Sequence, residues 1–375
     1  MSPQTAMMRA KPTLAVAAWG DPFDVATWSG TSANVIAALQ KQGVEIIGLD
    51  CRRSGLMWRL EHNRDRLMGR HYGYSLRRRA RLNCVRLAKT LPADCAGIVH
   101  ISSITAPPAG STPGFKNFLL CDAMTDFWQK CYSSDQPQET TAPQRQDEAD
   151  ECAAVSGTDW FFPISEHTAT SLRDHYGVSP EKMTIVGTGR GQIAPLQGTK
   201  DYSRKNILMV AKQRFEDKGG PLLIEAMAIA RQSDPQLHLT LVSPEEFRPF
   251  VQGAEGITLT GNVEWSELQR LFDETCLYAM PALCEPWGLV YAEALATKTP
   301  ILGLNRAALP ELTENGKHGF LVDEATPQAV AQTLLRAVSD RDTLQQMGES
   351  GQKYCLENFT WERTAALMSA AIWPS

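Results

Sequence analysis

The sequence lacks the features that mark several classes of protein. No apolar run approaches the ~20 residues that a helix needs to cross a bilayer, and the apolar segment Thr13 to Trp19 is too short for a secretory signal. The nine cysteines include no Cys-x-x-Cys pair, so neither zinc-site spacing nor a disulfide framework is visible. An odd number of cysteines favours a reducing compartment, and we therefore expect a cytoplasmic protein.

An excess of positive charge is also missing. The formal net charge is -5, which argues against a dedicated nucleic-acid-binding protein. One stretch differs, because Cys51 to Lys89 contains twelve Arg or Lys against two acids, and we expect it to be mostly helical. Such a stretch is usually a solvated helix face. The alternative is a weak contact with an anionic membrane surface or an anionic acceptor.

The length of 375 residues corresponds to about two domains, and strand and helix patterns alternate through both halves. In the first half, strands are predicted over 13–18, 44–49, 96–104, 118–120, 161–165 and 183–186, and helices over 32–42, 147–158 and 166–176. In the second half, strands are predicted over 206–211, 237–243, 257–260, 276–280 and 300–304, and helices over 220–231, 266–274, 289–297, 326–340 and 360–372. We predict an N-terminal domain over 1–187, a C-terminal domain over 188–358, and a last helix within 359–375 that crosses back to the first domain.

The most informative segment runs from Glu285 to Glu293, with the sequence Glu-Pro-Trp-Gly-Leu-Val-Tyr-Ala-Glu. Glu285 follows a predicted strand, Pro286 suits a first helical turn, and Gly288 allows a ligand to approach the backbone. Free N–H groups at such a helix start bind phosphate. Glu293 lies two turns further on and could hold the vicinal hydroxyls of a ribose. The expected phosphate-binding backbone belongs to Trp287, Gly288, Leu289 and Val290.

The spacing Glu-x7-Glu, followed by Ala294, Pro300 and Pro310-Glu311, resembles the retaining glycosyltransferases of family 4 (group 1). The similarity runs from about Asn206 to Val322, and residues 164–191 also resemble that family's interdomain passage. It implies the GT-B fold, an α/β architecture of two Rossmann-like doubly wound parallel-sheet domains facing across a cleft. It also implies hexosyl transfer from a nucleotide-sugar to a hydroxyl acceptor with retention, through front-face attack assisted by the leaving phosphate.

The resemblance assigns roles to individual residues. Glu285 would contact hydroxyls of the donor sugar, and Glu293 would hold the ribose. A basic pair would neutralise the diphosphate, and Lys218 with its following glycine matches the second member. The spacing is one residue longer than the family pattern, so either Lys212 or Arg214 could be the first member.

A departing diphosphate can be stabilised by a divalent metal or by fixed cations and dipoles. The metal route usually uses an Asp-x-Asp cluster, and the sequence offers Asp340-Arg341-Asp342, which we interpret as solvated side chains at the end of a late surface helix. We therefore expect no metal and no cofactor, because the nucleotide-sugar is a substrate.

The first domain should contribute residues from loops that follow its strands. Gly30 comes after the first strand, where it would allow close approach to phosphates or serve a tight turn. His100 ends another strand, and Asp122 follows the next one. The related family often has His-x-His near this position, whereas this chain has His100-Ile101-Ser102, so either His100 or Ser102 could face the sugar. Structural alternatives are a core role for His100 and a capping role for Asp122. Trp287 could likewise pack in the core.

Two other functions fit the same fold. One is another GT-B-type enzyme, such as a nucleotide-sugar epimerase or a glycosyl phosphorylase, although the lysine context that a phosphorylase cofactor needs is not found. The other is a non-catalytic nucleotide-sugar-binding protein. The presence of Glu285, Glu293 and Lys218 together favours a catalyst.

Overall fold

A computed structural model of the chain describes residues 11–52, 60, 63–64, 67–68, 72–132 and 141–374. The chain divides into two compact units, each with its own parallel sheet. The first unit comprises residues up to Ile164, Thr168–Val186 and the residues from Thr364 onward. The second comprises Ser165–His167 and Gly187–Arg363.

The sheet of the first unit has five parallel strands in the order β2-β1-β3-β4-β5. Every residue of β1, an interior strand of this sheet, is buried, as expected for a strand that is covered on both faces. The strands are β1 (Thr13–Ala18), β2 (Glu45–Asp50), β3 (Cys95–Ile101), β4 (Lys116–Cys121) and β5 (Trp160–Pro163). The predicted strand over 183–186 is not a strand of the sheet. Met183 forms an isolated bridge with Phe161, and the N–H groups of Thr184 and Val186 donate to the carbonyl oxygens of Phe161 and Pro163 at 3.0 Å, but no continuous strand forms.

The helices of this part of the chain are α1 (Thr31–Lys41), α2 (Tyr72–Ala88), α3 (Thr125–Tyr132), α4 (Ala142–Ser156) and α5 (Glu166–Asp174). Helix α3 has no counterpart among the predictions. Helix α4 begins five residues before the predicted helix, because Thr141 forms a capping box with Gln144 and Pro143 lies in the first turn.

The basic stretch is only partly described, and three of its arginines are not solvated. Arg79 and Arg81 are buried, and Arg77 is nearly so. The guanidinium group of Arg77 is bonded to Asp147, and both Arg77 and Arg81 approach the carboxylate of Asp150 on α4. The expectation of a solvated helix face is therefore wrong for these three residues, and for Arg77 and Arg81 carboxylates of α4 compensate the charge. Residues 53–59 and several others up to 71 lie outside the described part.

The sheet of the second unit has six parallel strands in the order β11-β10-β9-β6-β7-β8. They are β6 (Asn206–Val210), β7 (His238–Val242), β8 (Ile257–Leu259), β9 (Leu277–Ala279), β10 (Ile301–Leu304) and β11 (Gly319–Val322). The helices that follow in the chain are α6 (Gly220–Ser233), α7 (Arg248–Val251), α8 (Trp265–Glu274), α9 (Leu289–Ala296), α10 (Leu309–Leu312), α11 (Pro327–Ser339), α12 (Arg341–Asn358) and α13 (Trp361–Ile372). Within the described ranges, no helix has the length and apolar character that a membrane span requires.

Helix α12, the longest of these, was not predicted. Its first turn is capped by Asp340, whose carboxylate accepts hydrogen bonds from the backbone N–H of Thr343 at 3.0 Å and from its hydroxyl at 2.6 Å. The first aspartate of the Asp-x-Asp sequence therefore has a structural partner of its own.

Candidate active site

Two loops of the second unit leave the carboxyl ends of the neighbouring strands β6 and β9 and are joined by hydrogen bonds. The carbonyl oxygen of Asp217 accepts from the N–H groups of Leu283 at 2.7 Å and Cys284 at 3.0 Å. Gly219, with φ +78°, lies so close that a Cβ on it would be 2.0 Å from the carbonyl oxygen of Pro281. The close approach therefore requires glycine at this position. Ligands of open parallel α/β sheets bind at this edge of the sheet.

These loops bring Lys218 and Glu285 together. The Nζ of Lys218 lies 3.7 Å from Oε2 of Glu285, and the two side chains retain 20% and 13% of their exposure. At 3.7 Å the two groups attract each other but are too far apart for a direct N–H···O hydrogen bond.

Helix α9 begins immediately after Glu285. Gly288 caps it with φ +81°, and a Cβ there would lie 2.8 Å from the ring of Tyr291. Within the described structure, the N–H groups of Trp287, Gly288, Leu289 and Val290 donate to no oxygen of the protein. Leu289 and Val290 are partly exposed. The start of α9 therefore offers unpaired donors and the positive end of a helix dipole, which together suit a phosphate.

Glu293 is a carboxylate in a helix whose other residues from Tyr291 to Ala296 are buried and apolar. It is 8% exposed, and its Oε1 accepts hydrogen bonds from the N–H groups of Gln192 at 2.8 Å and Ile193 at 3.4 Å. A Cβ on Gly191 would lie 2.1 Å from the same oxygen. Burial raises the pKa of Glu293, while the two N–H groups and the charges of Lys212 and Lys218 oppose that rise.

The two candidates for the first basic position have different surroundings. Arg214, with φ +56°, donates from Nε to Asp217 at 2.9 Å and from Nη2 to the carbonyl oxygen of Cys284 at 2.9 Å. Its guanidinium group thereby links the two loops. Lys212 is exposed, and its Nζ lies 4.5 Å from the ring centroid of Trp265. A cation held by an indole face can move toward an incoming anion without breaking a hydrogen bond.

The side chain of Trp287 packs inside the second unit. It is 4% exposed, donates from Nε1 to the hydroxyl of Thr188 at 2.7 Å, and meets the ring of Phe359 edge-on. A direct contact between this indole and a substrate is therefore not supported, whereas the packing alternative agrees with the structure. Only the backbone N–H of Trp287 remains in the candidate site.

The first unit contains a cavity of about 380 Å³ at the carboxyl ends of β1, β3 and β4. Its lining combines indoles, hydroxyls and ionisable groups, namely Trp19, Thr27, Trp28, Arg77, Ser102, Ser103, Asp122, Thr125, Trp128 and Glu151, together with Ala18, Ile101, Ile104, Ala123 and Met124. The sequence analysis singled out Asp122 and Ser102 but missed the rest. Two signals in the sequence could have indicated these residues. They are the acidic residues at helical spacing on α4 and the tryptophans near strand ends.

His100 and Ser102 have different surroundings at the end of β3. The ring of His100 is fully buried, with Nδ1 3.3 Å from the Thr105 hydroxyl and Nε2 3.0 Å from the Asn117 side-chain oxygen. Ser102, with φ +68°, lines the cavity. Of the two alternatives, the geometry favours Ser102 as the group that meets a ligand and a structural role for His100.

Gly30 does not line the cavity. It is buried, has φ +81°, and caps α1. The two residues before it, Trp28 (φ 48°, ψ 50°) and Ser29 (φ 55°, ψ 30°), are also left-handed, and Trp28 with Thr27 forms part of the cavity wall. The glycine therefore ends a strained turn that presents Trp28.

The two parallel-sheet units give the chain the predicted GT-B fold. Residues 197–354 match the family model described as glycosyl transferases group 1. The match agrees with the family resemblance that the sequence motifs of this half of the chain indicate.

Relatives by sequence include a D-inositol 3-phosphate glycosyltransferase of Corynebacterium glutamicum, 26% identical over 58% of this chain and 57% of its own length. An MMP alpha-(1->4)-mannosyltransferase of Mycolicibacterium hassiacum is 27% identical over 55% of this chain and 52% of its own length. The chain thus matches only a little more than half of these relatives.

Solved structures show the same fold. A sucrose-phosphate synthase of Thermosynechococcus elongatus has a TM-score of 0.72 at 16% identity, covering 96% of this chain and 97% of its own. The Anabaena protein HepE, solved in complex with UDP and glucose, has a TM-score of 0.63 at 13% identity, covering 96% of this chain and 98% of its own.

Proposed function

We propose that the protein transfers a hexose from a nucleotide-sugar to a hydroxyl acceptor, with retention at the anomeric carbon and without a metal ion. The proposal depends above all on one observation, that Lys218 and Glu285 meet beside the unpaired N–H groups of α9. The matching family model describes glycosyl transferases of group 1, and the relatives are named as glycosyltransferases. Both descriptions agree with this chemistry. We also propose that the protein is a member of glycosyltransferase family 4 and is located in the cytoplasm.

The diphosphate of the donor would lie at the start of α9. Negative charge develops on this group as the bond to the sugar breaks, and fixed donors that need no rearrangement stabilise it most. Lys218 supplies a positive charge, and the N–H groups of residues 287–290 supply hydrogen bonds. These groups would do the work that a divalent metal does in other transferases.

Glu285 would contact the hydroxyls of the transferred sugar. Its carboxylate is 3.7 Å from the Lys218 ammonium. If Lys218 binds the diphosphate, Glu285 would lie next to the phosphate to which the sugar is attached. The acceptor hydroxyl would attack from the face on which the phosphate departs. The bond from the anomeric carbon to phosphate breaks, the bond to the acceptor oxygen forms, and the acceptor proton passes to a phosphate oxygen.

Glu293 would bind the ribose with the oxygen that the backbone does not use. Its Oε1 accepts from Gln192 and Ile193, whereas Oε2 has no partner within the described residues. Vicinal hydroxyls can donate to such an oxygen. The contact exists before and during the reaction, so it contributes to binding rather than to the rate.

The isosteric variants Glu285→Gln and Glu293→Gln test this division of roles. Glu285→Gln should bind nucleoside diphosphate within about twofold of wild type but lose kcat, because its contact tightens as the bond breaks. Glu293→Gln keeps an oxygen for the two N–H groups and should chiefly weaken nucleotide binding and raise KM. The measurements are calorimetry with UDP, GDP and ADP, and steady-state kinetics with the nucleotide-sugar whose diphosphate binds.

Glu357→Gln, a change at an exposed glutamate, is the matched control and should behave as wild type. If Glu285→Gln keeps the wild-type kcat, or Glu293→Gln keeps the wild-type nucleotide affinity, the corresponding role is refuted. If both variants behave as the control does, the glycosyltransferase proposal fails.

A further inference from the structure

Trp265, the first residue of helix α8, presents its indole to solvent. The residue is 53% exposed, although large aromatic side chains bury most of their surface in folded proteins. The Nζ of Lys212 lies 4.5 Å from the centroid of the ring, within the distance at which an ammonium group is attracted to an indole face. The exposed indole is thus in contact with one of the two candidates for the first basic position.

Hydrogen bonds fix the start of α8 relative to Glu293. Gln269, one helical turn after Trp265, accepts from the N–H of Ala194 at 2.8 Å and donates to its carbonyl oxygen at 3.1 Å. The N–H groups of residues 192–193, which come directly before, donate to Oε1 of Glu293. Residues four apart share one face of a helix, so Trp265 and Gln269 lie on the same face of α8. The indole is therefore carried by a turn that is anchored to the proposed ribose site.

The ammonium group of Lys212 acts on this site while it rests on the indole. Its charge and that of Lys218 both oppose the rise that burial causes in the pKa of Glu293. Coulomb attraction falls with distance, so the indole holds the ammonium close enough for its charge to be felt at Glu293. Glu293 lies on the helix whose start offers the unpaired N–H groups.

An ammonium group on an aromatic face can bind a second partner. It has three N–H donors, and the ring contacts the group from one side. The donors on the opposite side can therefore reach a phosphate oxygen while the contact with the ring persists. A flexible lysine loses rotamer freedom when a ligand orders it, and a lysine that is already ordered loses less.

We propose that Trp265 is a positioning residue, whose indole orders the ammonium group of Lys212 for the diphosphate of the donor. The inference rests on the proposed transferase function and adds a residue to its phosphate site. Lys212 keeps its contact with the ring when the nucleotide binds. The indole therefore increases the affinity for the diphosphate without touching the nucleotide.

Trp265→Leu keeps an apolar side chain but removes the aromatic face. It should weaken the binding of nucleoside diphosphate about two- to fivefold, the equivalent of one exposed cation–π contact. Binding of the bare nucleoside should not change, because only the phosphates meet Lys212. Trp265→Phe, which retains an aromatic face, should recover part of the loss. Calorimetry measures whichever of UDP, GDP and ADP the wild type binds, and saturation-transfer NMR measures the corresponding nucleoside.

The matched control is Arg336→Ala. It removes a second contact between a cation and a ring in the same unit, because the guanidinium carbon of Arg336 on α11 lies 5.9 Å from the ring centroid of Phe320 on the edge strand β11. This variant should change neither affinity.

A double-mutant cycle shows whether Trp265 acts through Lys212. Lys212→Met keeps the apolar stem of the side chain but removes the charge. In this background Trp265→Leu should cause no further loss of diphosphate affinity. Additive losses, or an equal loss for the nucleoside and its diphosphate, would overturn the inference. Tighter diphosphate binding in Trp265→Leu would also overturn it, because the indole would then hold Lys212 away from the phosphates.

The same measurements separate this inference from the function on which it rests. If Lys218→Ala weakens diphosphate binding and Trp265→Leu does not, the positioning role alone is refuted. A wild-type protein that binds no nucleoside diphosphate refutes the transferase function, and the positioning role with it.

Discussion

Lys212 and Arg214 lie two residues apart in the loop after β6. The guanidinium group of Arg214 is held by hydrogen bonds to Asp217 and Cys284, whereas the ammonium group of Lys212 contacts the ring of Trp265. Lys212→Ala should weaken the binding of nucleoside diphosphate several-fold and leave the bare nucleoside nearly unaffected, because only the phosphates would meet its ammonium. Lys218→Ala should show the same selectivity with a larger loss, since a charge-assisted contact contributes about 1.5–3 kcal/mol. Calorimetry with both ligands at low and high salt measures the difference.

Arg214→Ala should behave differently. Its hydrogen bonds join the loops of β6 and β9, so its loss should lower the melting temperature, by an amount equivalent to about 1–2 kcal/mol. Any loss of affinity should then be similar for the nucleoside and its diphosphate. If Arg214→Ala selectively loses diphosphate binding and Lys212→Ala does not, Arg214 rather than Lys212 is the basic partner of Lys218.

The titration of Glu293 should couple nucleotide binding to pH. Burial raises its pKa, so the carboxylate is lost at a higher pH than in an exposed glutamate. A protonated acid offers fewer acceptor sites to the ribose, and affinity should fall as the pH is lowered through the raised pKa. Nucleotide affinity measured from pH 4 to pH 8 should show this fall in wild type and not in Glu293→Gln.

Folding stability should respond to the same group in the opposite direction. The folded state binds the proton more tightly than the unfolded state, so the contribution of Glu293 to stability is fully present at low pH. It is lost as the pH rises from the ordinary glutamate value through the raised pKa. The stability of wild type relative to Glu293→Gln should therefore fall over that interval in denaturant titrations. An affinity and a stability that fall together on acidification would contradict this assignment.

At the scale of secondary-structure elements, the side chain of Lys200 caps the C-terminal end of helix α8. Its ammonium donates to the carbonyl oxygens of Phe272, Asp273 and Thr275 and to the hydroxyl of Thr299. Lys200→Met keeps the length of the side chain but leaves these acceptors without a donor. We expect a loss of about 2–4 kcal/mol in the free energy of unfolding. Lys353→Met, at an exposed lysine, is the control, and equal stabilities of the two variants would exclude the capping role.

Elements with strong local signals could be predicted from the sequence, and elements that depend on tertiary partners could not. The start of α9 follows from Pro286 and Gly288, and β1 follows from its apolar run. Helix α12 has 18 residues but was not predicted. Its sequence shows little apolar periodicity, and the helix depends on packing against the rest of the fold. The segment 183–186 has the composition of a strand and hydrogen-bonds to β5, but it forms only an isolated bridge there and no continuous strand.

At the scale of the molecule, the proposed chemistry requires no divalent cation. In this proposal, helix α9 and Lys218 would supply the charge that the leaving diphosphate needs. Transfer activity should therefore persist, within about twofold, in excess EDTA. The assay follows product formation after dialysis against chelator, with and without added Mg²⁺ or Mn²⁺. Complete loss of activity that either metal restores would refute the metal-free proposal.

The two units differ in how much of their site could be predicted. In the second unit, the candidate residues lie in segments that run from a strand end to a helix start, so local patterns predict Lys218, Glu285 and Glu293. In the first unit, the cavity draws single residues from separate loops and helices. Glu151 lies on α4 and Arg77 on α2, and no local spacing brings them together. Only the folded chain shows that Ser102, rather than His100, lies at its wall.

The contact between Gly191 and Glu293 links two positions that are far apart in the sequence. A methyl group at position 191 would occupy the space of the Glu293 carboxylate, and a shorter acid at position 293 would release the N–H groups of Gln192 and Ile193. Positions 191 and 293 therefore depend on each other, and a substitution at one of them limits which side chains the other can accept. Anyone who transplants the Glu-x7-Glu segment into another scaffold must move this glycine with it.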